Sequence, residues 1–192
     1  MSGRLSSSEG RDLPQVEQDV VARLGEAGID VAIDLTSMTA VANVFRVASA
    51  ARGHLERSVL AEAGLSFTAF TVMWVLWVWG ESEFREVAAD SGVAKGTLTG
   101  VVTTLERRGL VTRRRADGDR RLLLVSCTPA GEELMVGLFP HFNDGERRLV
   151  SGLSAAETRQ LGRLLRKVLR TIDGLDAPAA ELPRAASDAV DR

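Results

Sequence analysis

The sequence predicts a mainly α-helical protein with one small β hairpin. Apolar residues recur at helical spacing over most of the chain, as at Leu98, Val101, Val102 and Leu105. Only around 110–127 does this give way to two short β-prone runs separated by a turn-rich loop. Helix-start and helix-stop residues (Ser66, Thr128-Pro129, Ser154 with Glu157; Gly64, Gly109) punctuate the rest at regular intervals.

In chain order, the Ser- and Gly-rich residues 1–12 lack apolar content and are expected to be disordered. Leu13 to about Gly25 places Val16, Val20 and Leu24 on one helical face, and Gly25 and Gly28 end it. This helix either packs on a partner subunit or covers the edge of the core. Thr36 to about Ala63 is a long helix with Val41, Val44, Phe45, Ala48, Leu55 and Val59 on its apolar face, stopped by Gly64. Ser66 caps FTAFTVMWVLWVW, which is apolar nearly all round and must be covered on several sides. Glu81 begins a short helix through Asp90, Ser91-Gly92-Val93 is a turn, and a further helix spans about Ala94–Arg108. Leu110–Arg115 and Leu122–Cys127 are antiparallel strands joined by Ala116-Asp117-Gly118-Asp119-Arg120-Arg121. A helix follows Thr128-Pro129 to about Val150, and Pro140 should kink or break it near Leu138. The last helix runs from the Ser154–Glu157 capping box to about Ile172, ended by Gly174, and 173–192 is a flexible tail.

Composition narrows the chemistry. The chain carries net charge −2, yet Lys95 to Arg121 holds eight basic and three acidic residues, a local +5. A basic island on an acidic molecule points to a localised anionic partner, the competing reading being a solvated surface. The single cysteine, Cys127, excludes an intramolecular disulfide and a Cys-based zinc site, as suits a cytoplasmic protein. The N-terminus has no apolar signal core, and the run Phe70–Trp79 is too short to span a bilayer, so no membrane partner is expected. His54 and His141 are far apart, and no Ser-His-acid spacing, metal cluster or phosphate loop is present. No enzyme, cofactor or metal is predicted.

Helix, turn, helix, strand, basic loop, strand is the order of a winged helix-turn-helix. Its second helix enters a major groove of double-stranded DNA and its loop reaches a flanking minor groove. The outward side of the 94–108 helix is small and polar, as close approach to base edges requires. Asp119, two residues from Arg121, is placed to orient that guanidinium.

At ADSGVAKGTLTGVVTTLERRGLV (89–111) and DGDRRLLLVSCTPAG (117–131) the chain resembles the MarR family of bacterial transcription regulators. The second segment is similar to the family's wing signature through Asp119, Arg121 and Thr128, with Cys127 in place of Leu. The resemblance covers about 36–172. It implies a single domain over 13–172, with dimerisation helices at 13–63 and 129–172 flanking a DNA-binding lobe at 65–128. It implies a homodimeric repressor on a palindromic operator, released by a small lipophilic or aromatic effector. DNA-facing residues would be Lys95, Thr97, Thr99, Gly100, Thr103, Arg107, Arg113, Asp119, Arg120 and Arg121. Position 100 is more often Arg in the family, so Gly100 removes one contact.

An effector pocket is expected among Arg52, His54, Phe70, Met73, Trp74 and Trp77, although each is also an ordinary core or surface residue. No cysteine stands near the start of the long helix, where oxidant-sensing members carry one, and Cys127 is read as an inert core thiol. Two other readings stay open: a ligand-independent architectural DNA-binding protein, and a winged helix used for protein contacts, which would favour an acidic or apolar wing.

Overall fold

The computed structural model describes residues 13–28 and 34–176. The stretch 1–12 and the tail residues 177–192, both expected to be flexible, lie outside the described residues. Helix α1 spans Leu13–Glu26 and runs through Gly25; Gly28, at φ 68°, follows it. Helix α2 spans Leu35–Leu55, capped by Asp34, whose carboxylate accepts the Ser37 N–H at 3.0 Å. The predicted helix to Ala63 changes its winding instead of continuing. Glu56–Leu60 form one π-helical turn, and Gly64 (φ 61°) follows the turn residues. Of the predicted apolar face, Leu55 is buried, whereas Val41, Val44 and Phe45 are exposed, Phe45 by 72%.

Helix α3 spans Phe67–Trp79, with the Ser66 hydroxyl accepting the Ala69 N–H at 3.1 Å. Its Phe70, Val72, Met73, Val75 and Leu76 are buried, as an all-apolar helix requires. Glu81 does not begin the next helix. Ser82–Glu83 form a short strand, β1, and helix α4 occupies Phe84–Ser91. Helix α5 follows at Lys95–Arg107, then strands β2 (Val111–Arg115) and β3 (Leu123–Cys127). The sheet therefore has three strands in the order β1-β3-β2, with Ser82 opposite Val125 and Arg113 opposite Val125 on its other side. A two-residue strand has no periodicity to read, so β1 is visible only through its partner.

Helix α6 spans Pro129–Leu149 and passes through Pro140 without the predicted break. Leu138 and Phe142, on either side of the proline, are both buried, and Phe142 stacks on Phe70 at 4.0 Å. Packing of those flanking turns offsets the one backbone hydrogen bond that proline removes. Phe139 stacks on Trp74 at 4.8 Å and lies 5.7 Å from Trp77. At Gly131 the α6 backbone meets the residue before β2 so closely that a Cβ would overlap the Leu110 carbonyl oxygen. Helix α7 spans Ala155–Asp176, passing Gly174 without stopping. Gly174 does not take the left-handed conformation that closes a helix.

By packing, the chain divides into two units, Met1–Phe142 and Asn143–Arg192, the boundary falling within α6. The first holds a core in which Leu60, Met73, Leu76, Leu98, Leu105 and Met135 are fully buried. In the second, α7 exposes an unbroken stripe including Leu161, Leu164, Leu165, Val168, Leu169 and Ile172.

Candidate nucleic-acid interface

Helix α5 is bound to the core by Leu98, Val102 and Leu105, all essentially inaccessible to solvent. That anchoring turns Lys95, Thr97, Thr99, Gly100, Thr103 and Arg107 outward, and every one of them is exposed. Nothing lies within 4 Å of a Cβ built on Gly96 or Gly100, so the face is open. Ala94 caps the helix with no side-chain hydrogen bond, leaving its first N–H groups toward solvent. Thr99 turns its hydroxyl back to the Lys95 carbonyl at 3.0 Å.

The arginines of the basic island divide by partner. Arg113, on β2, gives its Nε to Glu106 at 2.9 Å and a terminal N–H to the same carboxylate oxygen, and its other nitrogen lies 3.5 Å from the Thr103 hydroxyl. It ties the wing to α5. Arg114 pairs through two hydrogen bonds, 2.8 and 2.6 Å, with Glu81 beside β1, and reaches Asp117 at 3.4 Å. These guanidiniums hold the Glu106 and Glu81 carboxyls below their ordinary value of 4.5. Arg108 donates to the carbonyls of Gly64 and Ala63, both at 2.7 Å. Lys95, Arg107, Arg120 and Arg121, by contrast, make no ion pair among the described residues. The Glu81–Arg114 and Arg108 links were not legible in the sequence, because their ends lie 33 to 45 residues apart.

In the loop, Asp119 accepts the Arg121 backbone N–H at 2.9 Å, not the guanidinium expected from their spacing. The carboxylate shapes the turn and leaves both side chains of Arg120 and Arg121 exposed at the tip. At the other end of β3, the Thr128 hydroxyl accepts the Gly131 N–H at 3.1 Å and donates to the Gly109 carbonyl at 2.6 Å. One side chain thus caps α6 and fastens the joint between α5 and β2.

Of the residues expected to form an effector pocket, Phe70 and Met73 are packed in the core, and Trp74 and Trp77 flank Phe139. The Arg52 guanidinium lies over the Phe67 ring at 5.1 Å, and His54 is exposed. A cavity of about 690 Å³ lies elsewhere, lined by the π turn, the α5–β2 joint and the first turns of α6, and none of those six residues borders it. Cys127 is half-buried with its Sγ 3.9 Å from the Met73 carbonyl, and burial pushes its thiol up to about 11, with a smaller contribution from Glu132. Such a thiol is protonated at neutral pH and a poor nucleophile. Among the described residues no acid, histidine or cysteine cluster fits a metal, and no helix is long and apolar enough to cross a membrane.

A reading helix held by its inner face, followed by a basic antiparallel wing, defines a winged-helix DNA-binding protein. Residues 65–123 match the MarR family. The chain is 34% identical over 162 residues to the uncharacterized HTH-type transcriptional regulator YwaE of Bacillus subtilis (strain 168), a match covering 84% of this chain and 94% of that one. It belongs to the MarR family of transcriptional regulators, which bind DNA and are not enzymes. Its fold is also that of AbsC, a MarR family regulator from Streptomyces coelicolor (TM-score 0.67, 22% identity, 75% of this chain and 99% of that one). Bordetella bronchiseptica BpsR, whose DNA binding is regulated by 6-hydroxynicotinic acid, is similar at 25% identity and TM-score 0.61, over 65% of this chain and 89% of that one.

Proposed function

We propose that this chain is a homodimeric repressor that binds a palindromic operator and is released by a small lipophilic or aromatic effector. The observation that carries the DNA reading is the division of cations: Arg108, Arg113 and Arg114 are engaged within the fold, while Lys95, Arg107, Arg120 and Arg121 are exposed without an ion pair. A cation with no internal partner loses least on meeting a phosphate. In this reading α5 enters the major groove with Lys95, Thr97, Thr99, Gly100, Thr103 and Arg107, and the wing carries Arg120 and Arg121 into the neighbouring minor groove. Asp119 shapes the wing, and Arg113 holds it to α5. Exposed apolar stripes on α2 and α7 support dimerisation through the helices on either side of the lobe. Control by an effector is supported by the similarity to BpsR.

Selection of duplexes from a random pool tests the reading. Recovered sites should hold inverted half-sites roughly 10 bp apart, one helical turn. Recovery of no common sequence would overturn it.

A further inference from the structure

The cavity described above borders the one stretch that joins reading helix to wing. Arg108 and Leu110, from that joint, form one wall; Val59 and Ala63 form another, and Leu134 and Leu138 of α6 a third. Arg108 is the residue following α5, and its guanidinium pins the end of that helix to the carbonyls of Ala63 and Gly64, 45 and 44 residues earlier in the chain. Those carbonyls belong to the turn after the π segment, which supplies Ser58 and Val59 to the same cavity. Of the five donors of a guanidinium, two are used, so others remain for an occupant. Glu62 and Glu133 also border the cavity and make no ion pair among the described residues. His141 lines the cavity as well, and the two carboxylates against the one guanidinium disfavour an anionic occupant.

We propose that Arg108 is the positioning residue through which this cavity controls the reading helix, and that its occupant is a mostly apolar, uncharged compound with an oxygen acceptor. The acceptor takes hydrogen bonds from the free donors and draws the guanidinium away from the Ala63 and Gly64 carbonyls, which loosens the end of α5 and lowers operator affinity. Arg108 itself touches no phosphate. The proposal rests on the effector-controlled reading above and names the site and ligand class for it.

The test uses the full chain, a duplex recovered from the random pool, and two probes of equal size, 2-naphthamide and 2-naphthoate. At pH 8, the amide should raise the Kd for DNA about tenfold and the acid less than about twofold, within the usual range of coupling. Arg108→Gln and Arg108→Lys should bind the duplex roughly tenfold more weakly with an unchanged slope of log K against log salt, and should lose the response to the amide. Glu62→Gln/Glu133→Gln, which leaves Arg108 in place, should bring the acid into the amide's range. The proposal is overturned by wild-type affinity in Arg108→Gln, by an amide response that survives in it, or by a slope reduced by about one unit, which makes Arg108 a phosphate contact. It is overturned equally by an acid that outperforms the amide on the native chain, or by a Kd that neither compound moves. A chain that prefers no duplex at all overturns the DNA-binding reading instead.

Discussion

Eight cations lie between Lys95 and Arg121, and a difference in partners gives them different expected behaviour. Arg121→Ala removes an exposed charge at the wing tip, so operator affinity should fall and the log–log salt slope should flatten by about one unit. Arg113→Ala instead removes the tie to Glu106, so affinity should fall through loss of wing position while the slope stays as in the native chain. Affinity measured at several salt concentrations separates the two. At Gly131 the absence of a side chain is required by the Leu110 carbonyl, whereas a Cβ on Gly137, in the same helix, meets nothing within 4 Å. Gly131→Ala should therefore lower the Tm by roughly 5–10 °C through overpacking against backbone. Gly137→Ala should raise it slightly, as Ala is favoured over Gly by about 1 kcal/mol in a helix. Cys127, with its thiol pushed up to about 11, should react with iodoacetamide at pH 7.5 far more slowly in the folded chain than in denaturant.

At the scale of elements, two carboxylates help to hold the wing in place, Glu106 on α5 and Glu81 beside β1. Glu106 and Glu81 have folded-state pKa values below 4.5, each through an arginine on β2. Groups depressed on folding contribute above their unfolded value and lose that contribution as pH falls through the lowered one. Protection of the β2 and β3 amides, taken relative to the intrinsic exchange rate at each pH, should therefore fall on acidification below about 4.5, and Glu106→Gln should show part of that loss already at pH 7. The helices themselves were largely legible beforehand. Ser66, Thr128 and Ser154 each cap the helix that the sequence predicts, because a cap and its N–H lie within three residues. Expectations failed where packing outweighed a local preference. Pro140 stays in α6, where Leu138 and Phe142 on either side of it are buried; Gly174 stays in α7 without any such packing, in an exposed last turn. The π turn at Glu56–Leu60 left no mark in the apolar spacing, and Asp119 spends its carboxylate on the Arg121 backbone, a choice that spacing alone leaves open.

For the whole molecule, the stripe on α7, and separately Val41, Val44 and Phe45 on α2, are exposed apolar surface of the kind that marks a protein contact when it is contiguous. On the proposed dimeric reading, Leu165→Glu/Leu169→Glu should sediment as a monomer where the native chain sediments as a dimer, and should bind the operator more weakly, since one subunit then meets one half-site. A doubly charged variant that stays dimeric would place the interface elsewhere. The amino-acid sequence by itself determined the helical class, the helix-turn-helix, the hairpin and the basic island, because periodicity, caps and turns act between residues a few positions apart. Only the tertiary structure decided which cations are engaged, that Ser82–Glu83 complete a sheet, and that a cavity borders the end of α5. The Arg114, Arg108 and β1 links join residues 33 to 45 positions apart, and which distant group meets an arginine is set by the packing of the core, not by any local pattern.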